Sequence, residues 1–122
     1  MGALLWVGLG GFLGAVARYV LGGVIAERVG AIFPWGTFVI NVSGSLLLGL
    51  TVGLASHHGL PTVAATVIGV GVLGGYTTWS TYLWESVTLA ETGAVSQAAL
   101  NVFGSLAAGL AAAAAGFGLA LL

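Results

Sequence analysis

The chain has 122 residues, 59% of them hydrophobic and 4% charged, with no cysteine and a net charge of -1. A soluble domain needs roughly a quarter of its residues charged to cover its surface, so a water-exposed shell is excluded and the solvent must be lipid. Disulfides, thiolate metal sites and thiol redox chemistry are excluded as well, and without a basic cluster nothing points to nucleic acid.

No residue from Val29 to Trp84, or from Thr92 to Leu122, carries a charge. One bilayer crossing takes about 20 apolar residues, so the first stretch holds two helices joined by a tight turn and the second holds one. The start of the chain holds the remaining one. The sequence therefore predicts an all-α integral membrane protein, a single four-helix domain over residues 1–122, with its function inside the bilayer. A cleaved signal peptide is not expected, since it needs a basic region before its apolar core and the first cation here is Arg18.

The first helix is predicted from about Ala3 to Ala26, ending at Glu27-Arg28-Val29-Gly30. Gly10, Gly14, Arg18 and Gly22 recur along it every four residues, which makes a small-residue face carrying one guanidinium. The glycines read as close helix packing. Arg18 either snorkels to the interface or lines a water-filled vestibule that attracts anions. Phe33-Pro34-Trp35-Gly36-Thr37 then turns the chain, with proline near a first helical position and tryptophan at headgroup level.

The second helix runs to about Ala55 and carries Thr37, Asn41 and Ser45 on one face. His57-His58-Gly59-Leu60-Pro61 is a polar connection. Adjacent loop histidines without acidic or thiol companions read as loop and not as a metal pair.

The third helix is predicted from about Thr62 to beyond Glu85. Its interior holds Gly69, Gly71, Gly74 and Gly75, where a break is expected. The run from Gly74 to Tyr82 adds the hydroxyls of Thr77, Thr78, Ser80 and Thr81, a poor composition for a lipid-facing helix but a suitable one for unwound backbone that coordinates something. Trp79 and Tyr82 lie three apart, so on resumed helix their rings share a face and offer electropositive edges to an anion. Glu85 follows on roughly that face, either paired with Arg18 or at the mouth of a pore.

The fourth helix spans about Ser96 to Leu121, with Gln97, Asn101 and Ser105 on one face. An amide side chain at such depth must find partners. Orientation is weakly specified, because both arginines sit at one end of the first helix and there is no lysine. Insertion either way up allows an antiparallel homodimer with its two-fold axis in the membrane plane.

These residues resemble the small bacterial and archaeal fluoride channels called Fluc, or CrcB. The resemblance covers nearly the whole chain: Gly10-Gly11 through Gly14-Ala15 to Arg18-Tyr19, then Pro34, Gly36-Thr37, Asn41, Gly44 and Gly49. Its most specific part is Gly74-Gly75 followed by Thr77-Thr78, Ser80-Thr81 and Glu85. It implies a dual-topology homodimer in which the third helices, broken at mid-membrane, cross at the centre. Backbone carbonyls of Gly74 and Thr77 from both subunits would hold a structural sodium ion there.

The resemblance also implies fluoride pores built from both chains. Asn41 falls on the family's pore asparagine, Ser80, Thr81 and Ser105 on its hydroxyl track, and Arg18 on its vestibule arginine. Trp79 and Tyr82 fall on paired phenylalanines whose ring edges face fluoride. Here the sequence departs from the family, since tryptophan adds an N–H and tyrosine an O–H that can hydrogen-bond the ion. Asn101 stands where many relatives carry tyrosine.

The implied activity is passive, selective efflux of fluoride across the inner (plasma) membrane to relieve its toxicity, without enzymatic chemistry and with fluoride, lipid and a second copy as partners. A strongly hydrated ion needs donors that replace its water yet release it quickly, and hydroxyls, an amide and aromatic edges form such a string of moderate sites. The alternative is a small multidrug-resistance-type proton-coupled exporter. Such exporters depend on an acidic residue inside the first helix, whereas Glu27 comes only at its end.

Overall fold

The computed structural model describes all 122 residues, Met1–Leu122, and contains helices but no strand. Four spans are long and apolar enough to cross a bilayer: α1 (Gly2–Val29), α2 (Trp35–His57), α3 (Thr62–Glu91) and α4 (Val95–Ala120). Each start and end follows from local chemistry. Gly30, Gly59 and Gly93 take positive φ in the three loops, the left-handed backbone that glycine adopts without a Cβ penalty. Pro34 and Pro61 stand just before α2 and α3, where a missing N–H costs no ladder bond.

Lipid supplies no hydrophobic drive between helices, so association relies on close backbone approach. The glycines provide it. A Cβ on Gly49 would collide with the Ala113 carbonyl and one on Gly116 with the Leu46 carbonyl, so α2 and α4 meet backbone to backbone. Against α3, α1 presents the face expected of it: a Cβ on Gly14 would collide with the Val72 carbonyl, and one on Gly10 would lie 3.1 Å from Val72. Gly71 and Gly75 return the contact, pressing on the backbone of Val7 and Gly11.

That use of the glycines narrows the break to the hydroxyl part of the run from Gly74 to Tyr82, where unwound backbone is expected. The chain remains helical through Gly69, Gly71, Gly74 and Gly75, widening to a π turn over Val67–Leu73 and tightening again over Gly74–Tyr76. It opens instead at Thr77 and Thr78, whose backbones are extended with ψ of 161° and 123°. The glycines serve as contact surface, and the interruption comes from competition for one N–H. The α ladder would send the Thr78 N–H to the Gly74 carbonyl, but it donates to Asn41 Oδ1 at 2.8 Å. Helix resumes at Trp79 because the Thr78 hydroxyl caps it, accepting the Thr81 N–H at 3.2 Å.

Candidate functional site

The break is held by a single amide. Asn41 Nδ2 donates to the Thr78 carbonyl at 2.8 Å while its Oδ1 accepts the Thr78 N–H, so one side chain replaces both ladder bonds that Thr78 forgoes. Thr78 is buried. Its hydroxyl donates to Thr81 Oγ1 at 3.1 Å and lies 3.4 Å from Ser80 Oγ, which draws the hydroxyl run into one cluster. Asn41 was legible as a polar residue needing a partner. Thr78 as the keystone was not, although a threonine directly before a resumed helix is an N-cap signal.

Around the break α2, α3 and α4 enclose a groove of about 420 Å³. Asn41, Ser45, Thr77, Trp79, Tyr82 and Ser105 form its polar part, with Leu48, Leu73, Leu106 and Leu110 below. Four of the six residues assigned to the pore therefore share one space: Asn41, Trp79, Tyr82 and Ser105. Thr81 lines a different cavity, and Ser80 lies on the exposed outer face of α3.

The two aromatic departures are not equivalent. Their rings stand 5.2 Å apart, tilted by 47°. Tyr82 is buried, and its hydroxyl donates to the Val102 carbonyl at 2.7 Å, so it has no proton left for an ion and presents ring alone. Trp79 is 67% exposed and its indole N–H makes no hydrogen bond. The expectation that either residue can bind an ion through its polar hydrogen is thus corrected for Tyr82. Val102 lies in a second π turn, Leu100–Gly104, whose shifted register brings its carbonyl to the α3 side.

Asn101 is fully buried and joins α4 to α3. Its Nδ2 donates to Ser86 Oγ at 2.9 Å, and Ser86 Oγ donates to the Tyr82 carbonyl at 2.7 Å. Ser105 Oγ donates to Asn101 Oδ1 at 3.1 Å. Tyr82 is consequently fixed through its backbone and through its ring, while Ser105 turns lone pairs and not its proton toward the groove.

At the other side of the break a second cavity, of about 440 Å³, lies between α1, the Phe33–Thr37 turn and the second half of α3. Arg18, Thr37, Thr81 and Glu85 line it, so Arg18 faces a cavity and does not snorkel along lipid. The pairing left open for Glu85 is resolved in favour of Thr37, whose hydroxyl donates to Oε1 at 2.8 Å. Glu85 Oε2 is buried without a partner. Arg18 Nη1 instead donates to the Thr77 carbonyl at 3.1 Å. Thr78 lines both cavities, so the interruption of α3 is also where the two spaces adjoin.

The histidines lie away from this region. His57 ends α2 with Nδ1 3.3 Å from the Gly53 carbonyl, and His58 Nε2 stands 2.6 Å from the Ala120 carbonyl at the end of α4.

Comparison with known proteins places these features in a family. Residues 5–117 match the family model described as CrcB-like protein, Camphor Resistance (CrcB). The fluoride-specific ion channel FluC 3 of Brucella suis is 43% identical over 119 residues, 95% of this chain and 90% of its own length. The fluoride-specific ion channel FluC of Thermus thermophilus is 45% identical over 106 residues, 87% of this chain and 85% of its own. FluC 1 of Leifsonia xyli, also a fluoride-specific ion channel, is 48% identical over 116 residues, covering 95% and 83%.

Proposed function

The chain belongs to the CrcB-like family, and from that premise we propose that it is a fluoride-selective channel of the plasma membrane, carrying the ion passively outward and relieving its toxicity. The observation that carries the reading is the pair of cavities adjoining at Thr78. Unwound backbone is tolerated at membrane depth only where protein buries it or a water-filled cavity receives it, and here a cavity flanks it on each side. Arg18 puts the one intramembrane cation of the chain in the second of these cavities. Asn41 has a second amide hydrogen beyond the one spent on Thr78, and Trp79 has a free indole N–H; both serve an anion that has left its water.

A second copy completes the channel. Gly74, Trp79, Ser80 and Thr81 are exposed around the break in α3. Hydroxyls and open backbone facing lipid are costly, and a partner that buries them removes the cost. The weak orientation signal of Arg18 and Arg28 fits an antiparallel pair.

The break also suits a structural sodium ion. The Thr78 N–H is diverted to Asn41, which leaves the Gly74 carbonyl without its ladder donor, and the Thr77 carbonyl points out of the helix. Backbone oxygens are proper ligands for a hard cation, but the two from one chain fall short of a shell of about six. Gly74 and Thr77 of both copies bring it closer. A proton-coupled exporter fits less well, since α1 carries no acid before Glu27 and Glu85 is engaged by Thr37.

The test is direct. Purified protein in liposomes loaded with fluoride is expected to release it down its gradient, read with a fluoride electrode, without a proton gradient. Equal loss of chloride, or no loss of fluoride, would overturn the proposal.

A further inference from the structure

Arg18 stands seventeen positions into a 28-residue span, a depth at which a guanidinium is expensive unless it is engaged. The acid that lines the same cavity, Glu85, does not receive it. Nη1 goes to the backbone of the break, donating to the Thr77 carbonyl at 3.1 Å. Two features aim it there. One turn earlier Gly14 presses against Val72 and Tyr76, which brings the α1 backbone against α3. Thr77 itself is pinned from the other side, its N–H and its hydroxyl both bonded to the Leu73 carbonyl at 2.9 Å, so its own carbonyl is turned toward α1.

We propose that Arg18 is a positioning residue that couples the anion cavity to the cation site at the break, through the one carbonyl oxygen, that of Thr77, which both use. This rests on the sodium reading given above and extends it. A guanidinium and a cation on the same oxygen compete for its lone pairs and repel each other. Arg18 therefore weakens cation binding, and a bound cation drives the guanidinium charge toward the cavity lined by Tyr19, Thr81 and Glu85. Coupling of this kind is reciprocal, so an anion near Arg18 strengthens cation binding by the factor with which the cation strengthens anion binding.

The experiment reads cation binding and not transport. Dimeric protein in detergent is melted at increasing sodium, with N-methylglucamine holding ionic strength constant, and the sodium concentration giving half of the stabilisation is recorded. Arg18→Gln removes the charge, and its midpoint is expected to fall by about tenfold, the scale of one unit-charge repulsion at a few ångströms in partly screened surroundings. A midpoint unchanged or raised overturns the coupling. If Arg18→Gln does not fold, the unsubstituted protein decides: replacing chloride with fluoride must lower its sodium midpoint, and equal midpoints overturn the proposal. No sodium dependence at all in the unsubstituted protein removes the sodium reading and this inference with it, a result distinct from equal midpoints.

Discussion

Asn41 and Thr78 are joined through both backbone groups of Thr78, its N–H and its carbonyl, each at 2.8 Å from the Asn41 amide. A side-chain amide has the donor and acceptor of a peptide group, so it substitutes for the helical neighbours that Thr78 gives up. Sequence position alone places these residues 37 apart, on different spans.

The amide is therefore expected to be irreplaceable by its isostere. In Asn41→Asp the carboxylate still accepts the Thr78 N–H, but an oxygen replaces Nδ2 and faces the Thr78 carbonyl with no hydrogen between them. A fixed negative charge is also added beside an anion path. Leaving a buried acceptor unpaired costs about 1–3 kcal/mol, more beside a charge. Fluoride efflux from liposomes is expected to fall at least about a hundredfold, the equivalent of about 2.8 kcal/mol, while the elution position on gel filtration stays that of the unsubstituted protein. Unchanged flux would remove Asn41 from the pore.

The aromatic pair should separate by function. Tyr82→Phe deletes a hydroxyl that is spent on Val102, so flux is expected to stay within about twofold while stability drops by about 1–2 kcal/mol for the orphaned carbonyl. Trp79→Phe deletes the exposed N–H, and there the expectation reverses: little change in melting, but a measurable shift in fluoride flux relative to chloride. Matching flux effects in the two variants would contradict the asymmetry.

Asn101 offers a stability test inside the fourth span. It is wholly buried, and both partners of its amide, Ser86 and Ser105, have hydroxyls with no other side-chain contact. Asn101→Leu keeps the volume approximately but takes away the acceptor of the half-buried Ser105 hydroxyl and the donor to Ser86 Oγ, which keeps its own bond to the Tyr82 carbonyl, so a loss of about 1–3 kcal/mol is expected. Thermal melting of the detergent-solubilised protein reads it. Because Ser105 is then released to turn its proton toward the groove, the flux of whatever fraction remains folded is expected to change as well.

Much of this arrangement is legible in the amino-acid sequence. Four spans, the turn at Pro34 and the small-residue face of α1 follow from charge-free length and four-residue spacing, which a bilayer enforces with little tolerance. The stripes through Asn41 and Asn101 were readable because buried amides need partners. What sequence did not show is which partner wins. Gly74-Gly75 marks backbone freedom, but freedom is used equally well for close packing, and Gly75 spends it against Gly11. Only the arrival of Asn41 from another span decides that the chain opens at Thr77 and Thr78. The same holds for Tyr82, whose hydroxyl looks available until Val102 is brought beside it by a π turn that no residue pattern announced.

The glycines supply the last test, because the structure separates those that carry contacts from those that do not. A Cβ on Gly8 or Gly23 meets nothing, so Gly8→Ala and Gly23→Ala are expected to melt as the unsubstituted protein or slightly higher, alanine being favoured in helix by about 1 kcal/mol. Gly14→Ala drives a methyl into the Val72 carbonyl, backbone that cannot step aside without moving α3. Overpacking of that kind costs about 1–3 kcal/mol. It also pushes α1 outward just where Arg18 reaches Thr77, so Gly14→Ala should lose flux more steeply than stability. Gly49→Ala, which collides with Ala113 on the α2–α4 side, is the control for clash without that displacement. Expected is a comparable fall in melting temperature for both, with the larger flux loss in Gly14→Ala. Equal flux losses would mean that the Arg18 contact is incidental to conduction, and the separation of α1 from α3 would then matter only for folding.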